Sequence, residues 1–298
     1  MSEEKFMPQT NEELIYVPLT NDLLFHMVFT KNQIALRSLL CSILDMSDSE
    51  ITRIEILNPM QYTEAIDSYT TIIDLKLHMN DQKYILIEMQ VRKFKSWTNR
   101  TLVYACRQIA DQTKGEEFLY STIQPVIQIA IMDYTLFPEH KRFLSRYKLR
   151  DDEGYEYSDK LQFIVMDLTA IEEAGEQEKT RGLVEWADAF RANDWRTVEK
   201  IENQGVKEAM KTMRVIMGTP SERQKIWDRK MAIWDQKDYI EGAKEEGFAE
   251  GRAEGEKNMA LNLYKLGIPI DMIAKGANVS ADTVKNWIDS CDKTKENA

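Results

Sequence analysis

Two acidic residues, Asp74 and Glu88, have the type and spacing that can hold a divalent cation. Each lies in a stretch that alternates apolar and polar residues, as half-buried β-strands do. Residues 80–82 between the stretches read Asn-Asp-Gln, which favours a turn, so the sequence predicts a β-hairpin. A three-residue turn pairs Leu75 with Ile87 and places the two acids opposite each other. A slip of one residue would turn apolar side chains of one strand to the polar face of the other.

The opposed acids require a compensating charge. Cβ atoms directly opposite on neighbouring strands lie about 4.5–5.5 Å apart, so two carboxylates there repel each other. A cation about 2.0–2.1 Å from each oxygen would compensate them, as in Mg²⁺ sites. Gln90 shares this face and can orient a water without adding charge. The alternative is that Asp74 and Glu88 both point to solvent from a half-exposed hairpin. The opposition of the acids and the basic segment beside them favour the cation site.

A basic segment follows the hairpin. Residues 83–114 include seven basic residues and only two acidic ones, although the whole chain carries a net charge of −11. Because an acidic protein repels phosphate, nucleic-acid binding requires cations concentrated in this way. Trp97 and Tyr104 are interleaved with the bases, and the alternative is a solvated helix face with two core aromatics. Next to the acids, phosphate binding is favoured, and the candidate DNA-binding residues are Arg92, Lys93, Lys95, Arg100 and Arg107.

Helices and strands that could position these residues alternate along the first part of the chain. Hydrophobic periodicity predicts helices from about residue 22, at 32–44 and at 97–112. It predicts strands at 51–57, 72–79, 84–91, 126–133, 143–149 and 162–168. Strands interrupted by a crossover helix indicate a mixed α/β sheet covered by helices. After about residue 169 the strand pattern ends, and spaced apolar residues indicate helices that pack back on the sheet.

The C-terminal part has two further signatures. Four Glu-Gly pairs between residues 241 and 255 place glycines near one helical stripe. They favour a weak, self-associating helix or a hinge, and a flexible connector fits equally well. From residue 257 three short helices are expected, with Ser280 capping the third, a spacing similar to that of helix–turn–helix DNA-binding modules. From Met259 onward the chain has five basic and five acidic residues, without the excess of basic residues that DNA-binding modules usually show. Plain helical packing is therefore an equal alternative.

These residues together resemble the PD-(D/E)XK nuclease superfamily. Asp74, followed by Glu88-x-Gln90 on the next strand, is similar to its transposase-like branch, the recombination-promoting nucleases of bacteria. Residues 19–25 look like the N-terminal Asp-x-x-Phe helix of that family, and 99–104 like its Arg-containing helix. Residues 124–131 and the region from 221 to the Glu-Gly pairs also resemble the family pattern. The resemblance covers most of the chain.

The resemblance implies an α/β fold with a restriction-endonuclease-like mixed sheet flanked by helices, followed by an all-helical C-terminal region. It implies that Asp74 and Glu88, with the Met89 carbonyl, bind Mg²⁺, for which Mn²⁺ can substitute. Gln90 takes the place of the superfamily's usual lysine, a departure that belongs to this branch. The implied catalytic set is Asp74, Glu88, Gln90 and Asp22.

Asp22 has two interpretations. By resemblance it is the acid of the first helix that approaches the metal. With Thr20 as the N-cap, an acid in the first turn also offsets the helix dipole, and the residues alone favour this second interpretation.

Composition limits the class of protein. The 298 residues, with mixed charge, are typical of a globular chain with one large domain and a small one. Three scattered cysteines, Cys41, Cys106 and Cys291, offer neither a disulfide framework nor a zinc spacing. The apolar runs are too short to span a bilayer, and the polar first ten residues are unlike a signal peptide. We therefore expect a cytoplasmic protein that does not bind membranes.

The expected function is that of a metal-dependent DNA endonuclease that hydrolyses phosphodiester bonds. Its expected parts are a nuclease-like domain at 1–217, a helical connector at 218–256 and a helix–turn–helix-like tail at 257–298. The alternatives are a catalytically inactive DNA- or protein-binding module on a nuclease-like scaffold, and a self-assembling structural protein. DNA is the expected partner, and a homo-oligomer could form through the C-terminal helices.

Overall fold

The computed structural model describes residues 14–57, 74–114 and 118–296. The chain divides into two compact units, Met1–Ile226 and Trp227–Ala298. The first unit contains a six-stranded sheet with helices, and the second is helical in its described part. The division into segments at 1–217, 218–256 and 257–298 stays a prediction.

The elements are numbered in chain order. The strands are β1 (Ile54–Leu57), β2 (Leu75–Met79), β3 (Lys83–Gln90), β4 (Val126–Met132), β5 (Leu144–Arg150) and β6 (Glu156–Asp167). The first five helices are α1 (Asp22–Lys31), α2 (Gln33–Leu44), α3 (Trp97–Asp111), α4 (Glu176–Thr180) and α5 (Leu183–Arg191). They are followed by α6 (Trp195–Val198), α7 (Gln204–Gly218), α8 (Pro220–Lys265), α9 (Ile270–Ala277) and α10 (Ala281–Glu296).

The strands form one mixed sheet in the order β1-β2-β3-β4-β6-β5. Strands β3, β4 and β6 run parallel, whereas β1, β2 and β5 pair antiparallel with their neighbours. Parallel neighbours require a crossover connection, and α3 lies in the crossover from β3 to β4. This mixed α/β sheet with flanking helices and a helical C-terminal region confirms the expected fold class.

Helices cover the sheet on both faces. The main core joins one face to α1, α2, α5 and α7, and its largest buried side chains include Phe25, Phe29 and Trp186. On the other face Ala105 of α3 packs against Leu86 and Val126. The middle of the hairpin face that was predicted to be polar is therefore buried, at Lys76, Leu86 and Glu88, and α3 packs against it at Leu86.

The predicted strands are observed with shifted ends. Strand β6 begins at Glu156 rather than at 162, because it forms a long antiparallel ladder with β5 that continues past a bulge. Strand β1 begins at Ile54, since Asp48–Glu50 form a 3-10 turn ahead of it. The first two residues of the predicted strand 72–79 lie outside the described residues.

Helix α8 runs without a break through all four Glu-Gly pairs. A Cβ atom added at any of these glycines would meet nothing within 4 Å apart from the adjacent residues and the nearby backbone of its own helix. Since the glycines lie in open space within the described structure, they do not mark a packed helix crossing there. Self-association through this helix stays a prediction.

The second unit has a small core of its own. Ala260 of α8, Ile273 of α9, and Val284 and Ile288 of α10 form its buried cluster. Ser280 caps α10 as predicted, because its Oγ accepts a hydrogen bond from the Thr283 N–H at 3.1 Å. DNA binding by this tail stays a prediction. Among the described helices of the chain, none combines the length and the apolarity that a membrane span requires.

Helices α2 and α7 approach each other at Gly205, where a Cβ atom would overlap the Ser38 side chain. We expect Gly205→Ala to destabilise the protein by about 1–3 kcal/mol, since overpacked cores lose stability on this scale. The matched control is Gly251→Ala in the exposed part of α8, which should stabilise the helix by about 0.5–1 kcal/mol. Urea denaturation followed by circular dichroism measures both changes. Equal midpoints for the two variants would contradict this packing.

Candidate active site

The hairpin of β2 and β3 carries the two candidate acids. Its register pairs Leu75 with Ile87, as predicted. Asp74 directly precedes Leu75 and Glu88 directly follows Ile87, so the two acids lie near each other at the open end of the hairpin, where the charge of Glu88 acts on Asp74.

The turn of the hairpin explains this register. Asn80 and Asp81 have φ angles of 56° and 54°, in the left-handed region that Asn and Asp tolerate better than most residues. The Gln82 N–H closes the turn on the Met79 carbonyl at 3.1 Å. The Asn80 carboxamide oxygen also accepts the Thr52 N–H at 2.8 Å, which ties the turn to the chain ahead of β1.

Glu88 is buried, with 3% of its surface exposed. Neither of its carboxylate oxygens has a hydrogen-bond partner among the described residues. The Arg100 guanidinium lies 4.0 Å from Oε2. Burial raises the pKa of Glu88 to about 7, and Arg100 acts in the opposite direction. The alternative in which both acids point to solvent is therefore wrong for Glu88, because α3 covers this face of the sheet.

Asp74 is held at the start of β2 by two hydrogen bonds. Its Oδ2 accepts the Met89 N–H at 2.6 Å, and its carbonyl accepts the His26 Nδ1–H at 2.6 Å. Burial, together with the charges of Glu88 and Asp22, raises the pKa of its carboxyl to about 8, and the Met89 hydrogen bond and Arg100 act in the opposite direction. Asp74, Glu88, Met89 and Asp22 are thus gathered in one place, where negative charge is unfavourable.

Asp22 lies in the first turn of α1. The N-cap is Asn21 rather than Thr20, because the Asn21 carboxamide oxygen accepts the Leu24 N–H at 2.9 Å. The Asp22 carboxylate lies where an acid offsets the helix dipole, as expected for the first turn, and its charge also raises the pKa of Asp74. Its role in catalysis stays a prediction.

Gln90 ends β3 and is half-buried. Its Nε2 donates a hydrogen bond to the Arg92 carbonyl at 2.8 Å. This bond fixes the direction of the carboxamide at the edge of the site. The role of Gln90 in orienting a water stays a prediction.

The predicted DNA-binding residues occupy two environments. Arg100 is half-buried, and its guanidinium carbon lies 5.4–5.6 Å from the ring centroids of Phe94, Trp97 and Tyr104. These cation–π contacts hold Arg100 beside Glu88. The other four are exposed, three on the loop between β3 and α3 and one further along α3: Arg92, Lys93, Lys95 and Arg107.

His26 contacts the site although the sequence pattern did not indicate it. It donates its hydrogen bond to the Asp74 carbonyl across 48 residues of chain. The available signal was its spacing of four from Asp22, which places both on one face of α1. His26 therefore joins α1 to the residue that begins the hairpin.

A second group of potential metal ligands lies at the turn end of the hairpin. The ligand atoms of Glu55, His78 and Asp81 lie within 4.8 Å of one another. Arg53 already compensates this group, with its guanidinium 3.0 Å from Asp81 and 3.3 Å from Glu55. His78 Nε2 also has a partner, the Gln124 side-chain oxygen at 2.7 Å. Arg53 is bonded closely to this group, whereas Arg100 lies 4.0 Å from Glu88 and makes no hydrogen bond to it, so the buried pair at the open end is the better candidate.

The buried pair fits a divalent cation. Mg²⁺ prefers oxygen ligands, and the two Glu88 oxygens have no protein donor among the described residues. A cation there would also remove the repulsion between Glu88 and Asp74. This fit rests on the chemistry of the donors and on their burial.

Comparison with known proteins identifies the family. The family model for PD-(D/E)XK nuclease family transposases matches residues 19–243, which is more than half of the chain and includes α1, the hairpin, α3 and the sheet. Neither the curated proteins nor the solved structures contain a match to this chain. PD-(D/E)XK nucleases generally use divalent metals, in agreement with the buried acids of the hairpin. The chain therefore belongs to the PD-(D/E)XK nuclease family transposases.

Proposed function

We propose that this protein is a Mg²⁺-dependent DNA endonuclease, with Mn²⁺ able to replace Mg²⁺. The observation that carries the proposal is the burial of Glu88, without a hydrogen-bond donor from the described residues, directly opposite Asp74. A buried carboxylate without a hydrogen-bond donor is costly even with Arg100 4.0 Å away, and a bound cation is the compensation that also serves hydrolysis. The family name supports a role in DNA recombination, and a cytoplasmic location stays a prediction.

Asp74 and Glu88, with the Met89 carbonyl, would hold the cation. The Met89 N–H fixes one oxygen of Asp74, so this carboxylate is oriented before the cation arrives. Both carboxyl groups must lose their protons for binding, since metal ions compete with protons for the same oxygens. When bound, the cation supplies a Lewis acid that polarises the scissile phosphate and lowers the pKa of a water.

The remaining residues act on the water and on the DNA. Gln90, fixed by its hydrogen bond to Arg92, orients the attacking water through its side-chain oxygen. Arg100, held by three aromatic rings, contacts the phosphate next to the cleaved bond. The exposed basic side chains of the loop before α3 and of α3 itself contact phosphates further along the DNA.

The test combines cleavage with cation binding. Purified protein should nick supercoiled plasmid DNA with Mg²⁺ or Mn²⁺ and leave it intact in EDTA. In a calorimetric titration with Mg²⁺, Asp74→Asn should weaken binding by at least about tenfold, since even outer-shell groups have effects of this size. Glu55→Gln is the matched control in the second acidic group and should bind Mg²⁺ like the wild type.

Two results would reject the proposal in different ways. Mg²⁺ binding that is lost in Glu55→Gln and kept in Asp74→Asn would move the cation to the turn end of the hairpin. DNA binding without cleavage in either metal would support the alternative of a catalytically inactive binding module.

A further inference from the structure

A cavity of about 240 Å³ lies on the face of the sheet that α3 covers only in part. Its volume is far larger than the roughly 30 Å³ of one water and somewhat below the roughly 300–1,000 Å³ of sites for drug-sized ligands. It therefore suits a small ring system. Strands β4 and β6 form the floor, α3 forms one wall, and the segment after β4 forms another; residues from these parts include Gln128, Ala130, Phe163, Trp97 and Phe137.

Gln128 lines the cavity floor with 1% of its surface exposed, and the two polar atoms of its carboxamide are themselves buried. Neither Nε2 nor Oε1 has a hydrogen-bond partner among the described residues. Burying an amide without hydrogen-bond partners destabilises the folded protein, so such a residue in a native protein requires an explanation. A ligand that offers one donor and one acceptor side by side would satisfy both atoms.

The other walls favour a flat ligand. Gln128 is in register with Phe163 on β6, and Phe163 is in register with Tyr147 on β5, so the three form one row across the sheet. Trp97 and Phe137 add aromatic surface from the sides. Aromatic rings that surround a slot bind planar groups by stacking, and the lining residues of this cavity carry no charge.

The cavity adjoins the acidic pair. Ala130, in its floor, pairs with Glu88 across β3 and β4. On α3, Trp97 and Thr101 line the cavity, and Arg100 between them reaches Glu88. A ligand in this cavity would therefore lie next to the point where DNA is cut.

We propose that this cavity takes a single unpaired nucleobase of the DNA substrate, turned out of the stack, and that the Gln128 carboxamide turns toward the cavity to bond to the edge of the base. Every nucleobase is planar and presents donors and acceptors on its edge, and Gln pairs in this way with adenine. The inference rests on the proposed DNA substrate of this site. It adds that the enzyme prefers DNA with an unpaired base, since turning a paired base out of a duplex breaks its base pair, a cost that an unpaired base avoids.

The test measures binding without cleavage. In EDTA, fluorescence anisotropy compares a labelled duplex containing one unpaired adenine with the fully paired duplex. We expect the full-length wild-type protein to bind the duplex with the unpaired adenine at least about tenfold more tightly, the scale of one bidentate base contact. Gln128→Leu should reduce this preference to within about twofold and leave the affinity for paired DNA unchanged.

Three further variants complete the design. Thr98→Trp, at the exposed rim of the cavity, should block entry and abolish the preference without touching Gln128. Val103→Trp is its control, because Val103 is exposed on the same helix and does not line the cavity. Gln162→Leu is the control for Gln128→Leu, because residue 162 precedes Phe163 and points to the opposite face of the sheet. Both controls should keep the preference.

The outcomes separate this inference from the nuclease proposal. Equal affinity of the wild type for both duplexes, or a preference that survives in Gln128→Leu and Thr98→Trp, would overturn the inference. Binding of free adenosine that depends on Gln128, without a preference among duplexes, would assign the cavity to a small molecule and overturn it too. A preference in EDTA combined with no cleavage in Mg²⁺ would support the inference and reject the nuclease.

Discussion

Replacing Glu88 with glutamine is expected to lower the rate of Mg²⁺-dependent DNA cleavage by about 10³-fold and to stabilise the metal-free protein. The loss of rate follows from the loss of a metal ligand, because metal ions contribute several kcal/mol of transition-state stabilisation and each 1.36 kcal/mol is a factor of ten. Glutamine has nearly the same shape, so the packing beneath α3 should be preserved.

The gain in stability has a separate cause. Above its raised pKa of about 7, Glu88 is an ionised carboxylate that is buried and has no hydrogen-bond donor among the described residues. A neutral amide in the same place loses less hydration on folding. We expect Glu88→Gln to raise the free energy of unfolding by about 1–3 kcal/mol at pH 8 in EDTA.

Single-turnover cleavage of plasmid DNA and urea denaturation in EDTA measure the two effects of Glu88→Gln. Glu55→Gln is the matched control, because Glu55 is exposed and ion-paired with Arg53. It should change the cleavage rate and the stability little. A Glu88→Gln protein that cuts at the wild-type rate, or that is less stable than the wild type, would contradict the assignment.

Lowering the pH from 8.5 to 5.5 is expected to stabilise the metal-free protein by several kcal/mol. Burial raises the pKa of Asp74 to about 8 and that of Glu88 to about 7, above their values in the unfolded chain. Between the unfolded and the folded values the native state binds more protons, so stability falls as the pH rises. The stabilisation is complete below the unfolded pKa values and is lost as the pH rises through 7 and 8.

Acids whose pKa is lowered in the folded protein have the opposite pH dependence, and they act outside the range from pH 5.5 to 8.5. Four acids have lowered pKa values, and their contribution to stability is lost only at more acidic pH: Glu50, Asp194, Glu202 and Glu208. Partial burial also raises the pKa of Asp133 and Asp188, which should leave a small residual slope of the same sign.

The measurement is the urea midpoint as a function of pH in EDTA. The double variant Asp74→Asn/Glu88→Gln should remove most of the slope between pH 5.5 and 8.5. Saturating Mg²⁺ should raise the midpoint of the wild type more at pH 8.5 than at pH 5.5, because protons and metal compete for the same oxygens. A slope that is identical in the wild type and the double variant would contradict the buried pair.

Much of the fold could be predicted from local pattern. The alternation of apolar and polar residues predicts the hairpin and pairs Leu75 with Ile87, because a shift of one residue would expose an apolar row. The opposition of Asp74 and Glu88 follows directly from that register. The strands of the core and the helices α1, α2 and α3 were predicted within a few residues by the same periodicity, except for the start of β6.

The environment of the site could not be predicted in the same way. Periodicity shows that a strand has two faces, but what covers a face depends on where the crossover from β3 to β4 places α3. That placement buries Glu88, brings Arg100 within 4.0 Å of it and forms the cavity above Gln128. The contact of His26 with Asp74 joins residues 48 apart in the chain. Contacts of this range depend on the packing of whole helices and strands. The local sequence therefore determines which residues could do the chemistry. The tertiary packing decides their burial, their charge and their neighbours.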